Sequence, residues 1–238
     1  MRCMIAHCLV CDVFIKIYIK VGGVNMYKCI CGSRSYNLNL PASDYDMIII
    51  CDNADNEHDI VNSHAIWKEA DQFIKDLLLI NVEAGYLQYY FPSIILLETE
   101  VTNYLIQHRE DIIRANLDRV YTAYITKAKS LSRKLDTWGM QYPKRIVYSC
   151  LFYDTLYRYA THNISFEEAF KPEEDFRQWL LSVRKGEIAK EEIIRKNEEL
   201  RIKAESVSAF YIGVENKDYL NQVISDLNQM LNTNVEFM

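Results

Sequence analysis

Breakers are scarce in this chain, and nothing in it repeats. Only four prolines and seven glycines punctuate 238 residues. The lack of an internal repeat excludes a solenoid or propeller, and no low-complexity linker divides the sequence. Long apolar runs are missing as well. Phe14 to Val21 alternates like a strand, and Asp12, Lys16 and Lys20 break it up, so it is neither a signal core nor a membrane span. There is no surplus of basic charge. The net charge of −6 argues against broad, non-specific nucleic-acid binding, which needs many exposed cations. His58, His64, His108 and His162 are scattered without metal-ligand spacing, and no Walker loop, Cys–His nucleophile pattern or paired-glutamate signature is present.

What is present suits a globular chain. Half of the residues are hydrophobic and a quarter are charged, enough for a substantial core. The length fits one ordinary domain, or a small α/β unit with a helical partner. The seven cysteines are an odd number and no signal segment is apparent, which together predict reduced thiols and a cytoplasmic protein. Cys8-x-x-Cys11 with Cys29-x-Cys31 is a poor zinc set. The second spacing is short, and Cys29 and Cys31 fall in an apolar strand that needs them for packing. The many tyrosines recur at helical spacing and are read as half-buried packing residues.

The most informative stretch is Gly32-Ser33-Arg34-Ser35-Tyr36-Asn37-Leu38-Asn39-Leu40-Pro41-Ala42-Ser43-Asp44-Tyr45-Asp46. The apolar run Tyr27 to Cys31 leads into Gly-Ser, and Asp-Tyr-Asp leads into Met47-Ile48-Ile49-Ile50. This predicts strand, tight turn, polar loop and second strand. Gly32 permits a backbone path that a side chain would block and lets main-chain N–H groups approach a polyphosphate, where Ser33 adds a hydroxyl. Asp44 and Asp46 alternate on the second strand and share a face, with Tyr45 and Met47 turned to the other face, toward a core. Adjacent carboxylates repel unless a cation lies between them, and magnesium suits one or two carboxylates plus phosphates.

These residues resemble the nucleotidyltransferase signature of the DNA polymerase beta superfamily, in the branch of small bacterial and phage proteins. A weaker resemblance to the helical half of that branch lies in Pro143-Lys144-Arg145 and in Arg177 to Glu187. The resemblance implies an α+β fold, with a small mixed sheet and helices followed by an all-helical C-terminal half. It implies magnesium-dependent transfer of a nucleoside monophosphate from an NTP such as ATP to an acceptor hydroxyl, with release of pyrophosphate. Gly32, Ser33, Arg34, Ser43 and Lys144 would hold the nucleotide, and Asp44 and Asp46 the Mg²⁺. A third carboxylate is implied on a later strand. In Val82 to Phe91 the only acid is Glu83, which is assigned the base, while Gln88 stands where a carboxylate is expected. The acceptor is left open between a nucleic-acid end, a protein side chain and a small molecule. No membrane partner is expected.

The organisation follows. Residues 1–25 are expected to be an extension ahead of a true start at Met26, 26–97 the nucleotidyltransferase core and 98–238 a helical region. Asp52 to Asp59 reads as a polar connector. Ile66, Ala70, Phe73, Ile74, Leu77 and Leu78 predict a helix capped by Asn62 or Ser63. Ile112, Ile113, Leu117, Val120, Tyr121, Tyr124, Ala128, Leu131 and Leu135 form one long stripe, broken at Gly139 to Pro143. Lys144 to Tyr159 predicts an aromatic helix. Pro172 is placed in the first turn of another, which ends near Gly186. Glu187 to Ser206 reads as an exposed, charged helix and Asp218 to Leu231 as a last amphipathic one. Lys127, Lys129, Arg133, Lys134, Lys144 and Arg145 make a basic neighbourhood that is either a phosphate-facing patch or a solvated helix end. The alternatives to an enzyme are a non-catalytic nucleotide sensor with a degenerate site, and a partner-binding module that docks through the 187–206 helix.

Overall fold

The computed structural model describes residues 25–43, 45–51, 63–79, 99–138 and 143–236. Asp44, Glu83, Gln88, the Val82–Phe91 segment, the polar connector and residues 1–24 lie outside them. The apolar run before Gly-Ser forms β1 (Asn25–Cys31), and the run after Asp46 lies in β2 (Tyr45–Cys51). The two pair antiparallel, with Cys31 opposite Asp46 and Cys29 opposite Ile48. Residues Ser63–Glu69, expected as the start of a helix, instead form β3, which runs parallel to β2. The helix α1 begins only at Ala70 and ends at Leu79. The Ile48–Ile50 run offers backbone hydrogen bonds on both edges, and β3 satisfies the second edge. Helical spacing of the apolar residues could not register that non-local demand. The described sheet is therefore mixed, in the order β1-β2-β3.

Helices make up most of the other described residues, so the fold is α+β. They are α2 (Glu100–Arg114), α3 (Leu117–Trp138), α4 (Pro143–Thr161), α5 (Phe166–Phe170), α6 (Glu174–Lys185), α7 (Lys190–Ser206) and α8 (Lys217–Leu231). Thr99 caps α2 reciprocally with Thr102. The long stripe read as one helix is two, with a break at Ala115–Asn116. The chain near residue 215 fills that break: the Asn216 N–H donates to the Ala115 carbonyl at 2.8 Å. Pro172 stands one residue ahead of the α6 cap, Glu173, rather than inside the helix. The charged helix α7 is less exposed than expected. Ile193, Asn197, Leu200 and Ala204 are buried, and Asn197 donates to Ser149 Oγ of α4 at 2.9 Å.

Burial is continuous from sheet to helices. Cys29, Cys31, Ile48 and Ile50 of the sheet share one core with Phe73 and Leu77 of α1, Tyr124 of α3, Leu151 and Phe152 of α4, and Phe170 of α5. Register puts Asp46 on that same helix-facing side, with Cys29, Cys31 and Ile48. Met47 is buried on the opposite face, as expected, so both faces of β2 are covered and Asp46 stands at the margin of the helical one. Among the described residues no helix is long and apolar enough to cross a membrane.

Candidate functional site

Gly32 opens a three-residue 3₁₀ turn (Gly32–Arg34) at the end of β1, with φ +67°. L-residues rarely take that conformation. Space imposes the same choice independently. A Cβ added at Gly32 would overlap Asp46 Oδ2 and lie 3.0 Å from its Cγ. The glycine and the aspartate singled out from sequence are thus one unit, since the carboxylate occupies the room that the missing side chain leaves. Asp46 is half-buried. Its antiparallel neighbour Cys31 is buried, and burial first, then the Asp46 charge, pushes that thiol up to about 12. At neutral pH Cys31 is therefore an uncharged thiol.

The loop behind the turn is closed by its own polar groups. Ser35 Oγ donates to the Gly32 carbonyl at 2.8 Å, and the Leu38 N–H to the Ser33 carbonyl at 2.9 Å. Arg34 Nη2 donates to the Ser43 carbonyl at 2.6 Å, and Ser43 Oγ accepts from the Leu40 N–H at 2.9 Å. Arg34 and Ser43, expected at the nucleotide, thus tie the two ends of the loop together. Ser33 and Ser35 are buried beneath it.

Sequence reasoning missed the anchors of this loop. Tyr36 is buried and puts its ring 4.7 Å from that of Phe170 of α5 and 5.3 Å from that of Tyr148 of α4. Leu38 is fully buried beside it. From α6, Arg177 and Arg184 donate to the carbonyls of Asn37 and Leu38. The second stretch singled out from sequence therefore meets the first in space. The signal was available in the seven-residue spacing of those arginines, which puts both on one helical face. Lys144 is exposed in the first turn of α4, four residues before Tyr148, and so lies on the side of that helix that faces the loop.

The remaining predicted residues are placed less fully. Parallel pairing sets His64 opposite Asp46 in register, a juxtaposition that histidine spacing alone did not reveal. The acid of β3 is Glu69, opposite Cys51 at the far end. Five residues separate it from the Asp46 level, roughly 16 Å at strand rise. β3 thus supplies no acid beside Asp46, and the carboxylates expected there, Asp44 and Glu83, lie outside the described residues. Among the described residues no group of three or more histidine, cysteine or acidic side chains forms a metal cluster. Cys29 and Cys31 are buried and are not joined to each other by a disulfide.

As donors for a cation, the described groups suit a hard ion. Asp46 offers carboxylate oxygens at the margin of the core, and the protonated Cys31 beside it adds no thiolate. No protein-family model matches the sequence, and no curated protein matches it.

Proposed function

We propose that this chain is a metal-dependent nucleotidyltransferase with a polymerase-beta-like core, transferring a nucleoside monophosphate from an NTP to an acceptor hydroxyl. The observation that carries this reading is the seating of the Asp46 carboxylate in the space vacated at Gly32. Antiparallel pairing brings the turn to the level of Asp46, and the glycine leaves the room in which the carboxylate sits. A turn that presents a triphosphate to a carboxylate-held cation needs that contact. Magnesium, when bound, would neutralise phosphate charge and favour ionisation of the acceptor hydroxyl.

The chain's own groups take the following roles. Gly32 and Ser33 hold the triphosphate through their main-chain N–H groups, since the Ser33 side chain is buried. Asp46, with Asp44, holds the cation. The acceptor oxygen attacks the α-phosphorus, the bond from that phosphorus to the β-phosphate oxygen breaks, and pyrophosphate leaves. The acceptor proton passes to a carboxylate, the part given to Glu83. Lys144, exposed in the first turn of α4, would meet phosphate oxygens from the helical half.

The test is incubation of the purified chain with each α-³²P-labelled NTP and Mg²⁺, with cell lysate as the acceptor pool, beside Asp46→Asn. The expected result is label on one acceptor class with the intact aspartate, and a loss of at least about a hundredfold in the variant, as for removal of a group that organises transition-state charge. Equal labelling by both proteins refutes the proposal. Binding of NTP without any transfer converts it to a non-catalytic nucleotide-binding module.

A further inference from the structure

The clasp between α6 and the loop assigns a role to a helix that supplies none of the proposed reacting groups. Leu180 and Val183, both fully buried, fix α6 on the core, and Gly186 ends the helix in the left-handed conformation at φ +77°. Arg184, in the last turn, is half-buried, and its Nη1 donates to the Leu38 carbonyl. Arg177, two turns earlier, reaches the Asn37 carbonyl at 3.4 Å and is also held by Glu174, with Nε and Nη2 each 2.8 Å from a carboxylate oxygen. The two peptide groups that flank the Leu38 Cα are therefore both gripped from α6. The first of them carries the Leu38 N–H, which donates to the Ser33 carbonyl at 2.9 Å. A charged donor on a partly buried carbonyl is among the stronger hydrogen bonds available to a protein. The 3.4 Å contact of Arg177 is the weaker of the two.

We propose that Arg184 is a positioning residue for nucleotide binding. By holding the Leu38 carbonyl, in the peptide that follows the one donating to Ser33, it fixes the Leu38 backbone and through it the Leu38 N–H on Ser33 and the Gly32–Ser33 turn, so the affinity of the turn for a triphosphate is set from the helical half. This inference rests on the nucleotidyltransferase reading above. Asn37 sharpens the need for the clasp. It takes φ +55°, a left-handed conformation that asparagine tolerates but that the chain beside it must hold. Asn37 and Leu38 also join the buried Tyr36 to the rest of the loop, so a loosened Leu38 frees the turn without unseating the ring.

The experiment uses the full chain with Arg184→Met, which keeps an apolar stem and removes the donor, and Arg184→Lys, which restores a single cationic donor. Two readouts are taken: amide hydrogen exchange over residues 33–38 without nucleotide, and KM and kcat for the preferred NTP with Mg²⁺. Loss of one hydrogen bond from a charged donor predicts exchange and KM each raised roughly tenfold in Arg184→Met, kcat within about threefold of wild type, and most of both recovered in Arg184→Lys. Arg177→Gln is expected to move both readouts by less. A lowered melting temperature with KM unchanged would make Arg184 a structural brace and overturn the inference, as would unchanged exchange over 33–38. If the wild-type chain neither binds nor turns over any NTP, the nucleotide reading fails, and this inference falls with it. Wild-type turnover with an unmoved KM in Arg184→Met sinks this inference alone.

Discussion

Gly32 shows how one position can be fixed twice over. Its φ of +67° would cost an alanine roughly 1–2 kcal/mol, the usual penalty for an L-residue in the left-handed region. The overlap with Asp46 Oδ2 adds a second demand, because the carboxylate must move before any Cβ fits. Gly213 separates these two effects: its φ is +79°, and a Cβ there would meet nothing within 4 Å. Gly213→Ala is therefore expected to lose about 1–2 kcal/mol and leave the proposed transfer activity unchanged. Gly32→Ala should lose at least as much stability and also drop transfer by roughly a hundredfold, the scale of displacing a reacting group by about an ångström. Thermal unfolding and initial rates at saturating NTP check both variants. Transfer by Gly32→Ala at the wild-type rate would show that the Asp46 position is not functional. Both residues stood out in sequence, because a glycine turn and a strand-borne carboxylate are each encoded locally, but their contact did not. Nor did Tyr36, because one tyrosine in a polar loop carries no mark of the ring cluster it enters.

Elements were legible where their boundaries lay in the sequence beside them. The helices α4, α6 and α8 stand close to where proline, glycine and apolar spacing put them, and Gly186 ends α6 in the left-handed conformation. The reading went wrong where a distant segment decides. β3 is a strand because β2 has a second edge to pair, and the α2–α3 break exists because the chain near Asn216 bonds into it. The short α5, held by a reciprocal Ser165–Glu168 cap, was too brief for periodicity to register. One inter-element charge gives a test. On α4, burial pushes the Asp154 carboxyl up to about 6, with Arg158 pulling it down and Glu173 raising it further. Arg158 in turn holds the carbonyls of Ala169 and Lys171 on either side of the α5 end. Because the folded pKa is the higher one, the folded state binds more protons between about 4 and 6, so the contribution of this group is greatest below that window. It declines as pH rises through the window and is constant above it. The size is about 2–3 kcal/mol from a shift of roughly two units. Urea unfolding of wild type and Asp154→Asn at several pH values should show wild type losing about that much relative to the variant between pH 4 and 7. A pH-independent difference would place the carboxyl in a normal environment.

At the scale of the whole molecule, the sheet and the helical half are expected from sequence as separate regions, 26–97 and 98–238, yet one buried core runs through both. Tyr36 is a main rivet: its ring leaves the loop of the sheet region to pack among Tyr148, Phe152 and Phe170, with centroids 5.3, 6.5 and 4.7 Å away. A shared core of this kind favours a single cooperative transition. The tryptophans allow the two halves to be watched apart, because Trp67 lies on β3 and Trp179 on α6. Two variants, one keeping only Trp67 and the other only Trp179 with Trp138 replaced in both, should give coincident urea midpoints, matching the loss of helical circular dichroism. Tyr36→Ala, which empties a fully packed aromatic site, should lower stability by about 3–5 kcal/mol as read from either tryptophan. The outcome that would break this picture is separation. If Tyr36→Ala shifted the Trp67 transition and left the Trp179 transition in place, the helical half would be a folding unit of its own. The loop would then be docked onto it rather than built with it, and the grip of α6 on Leu38 would be a contact between two bodies instead of part of one core.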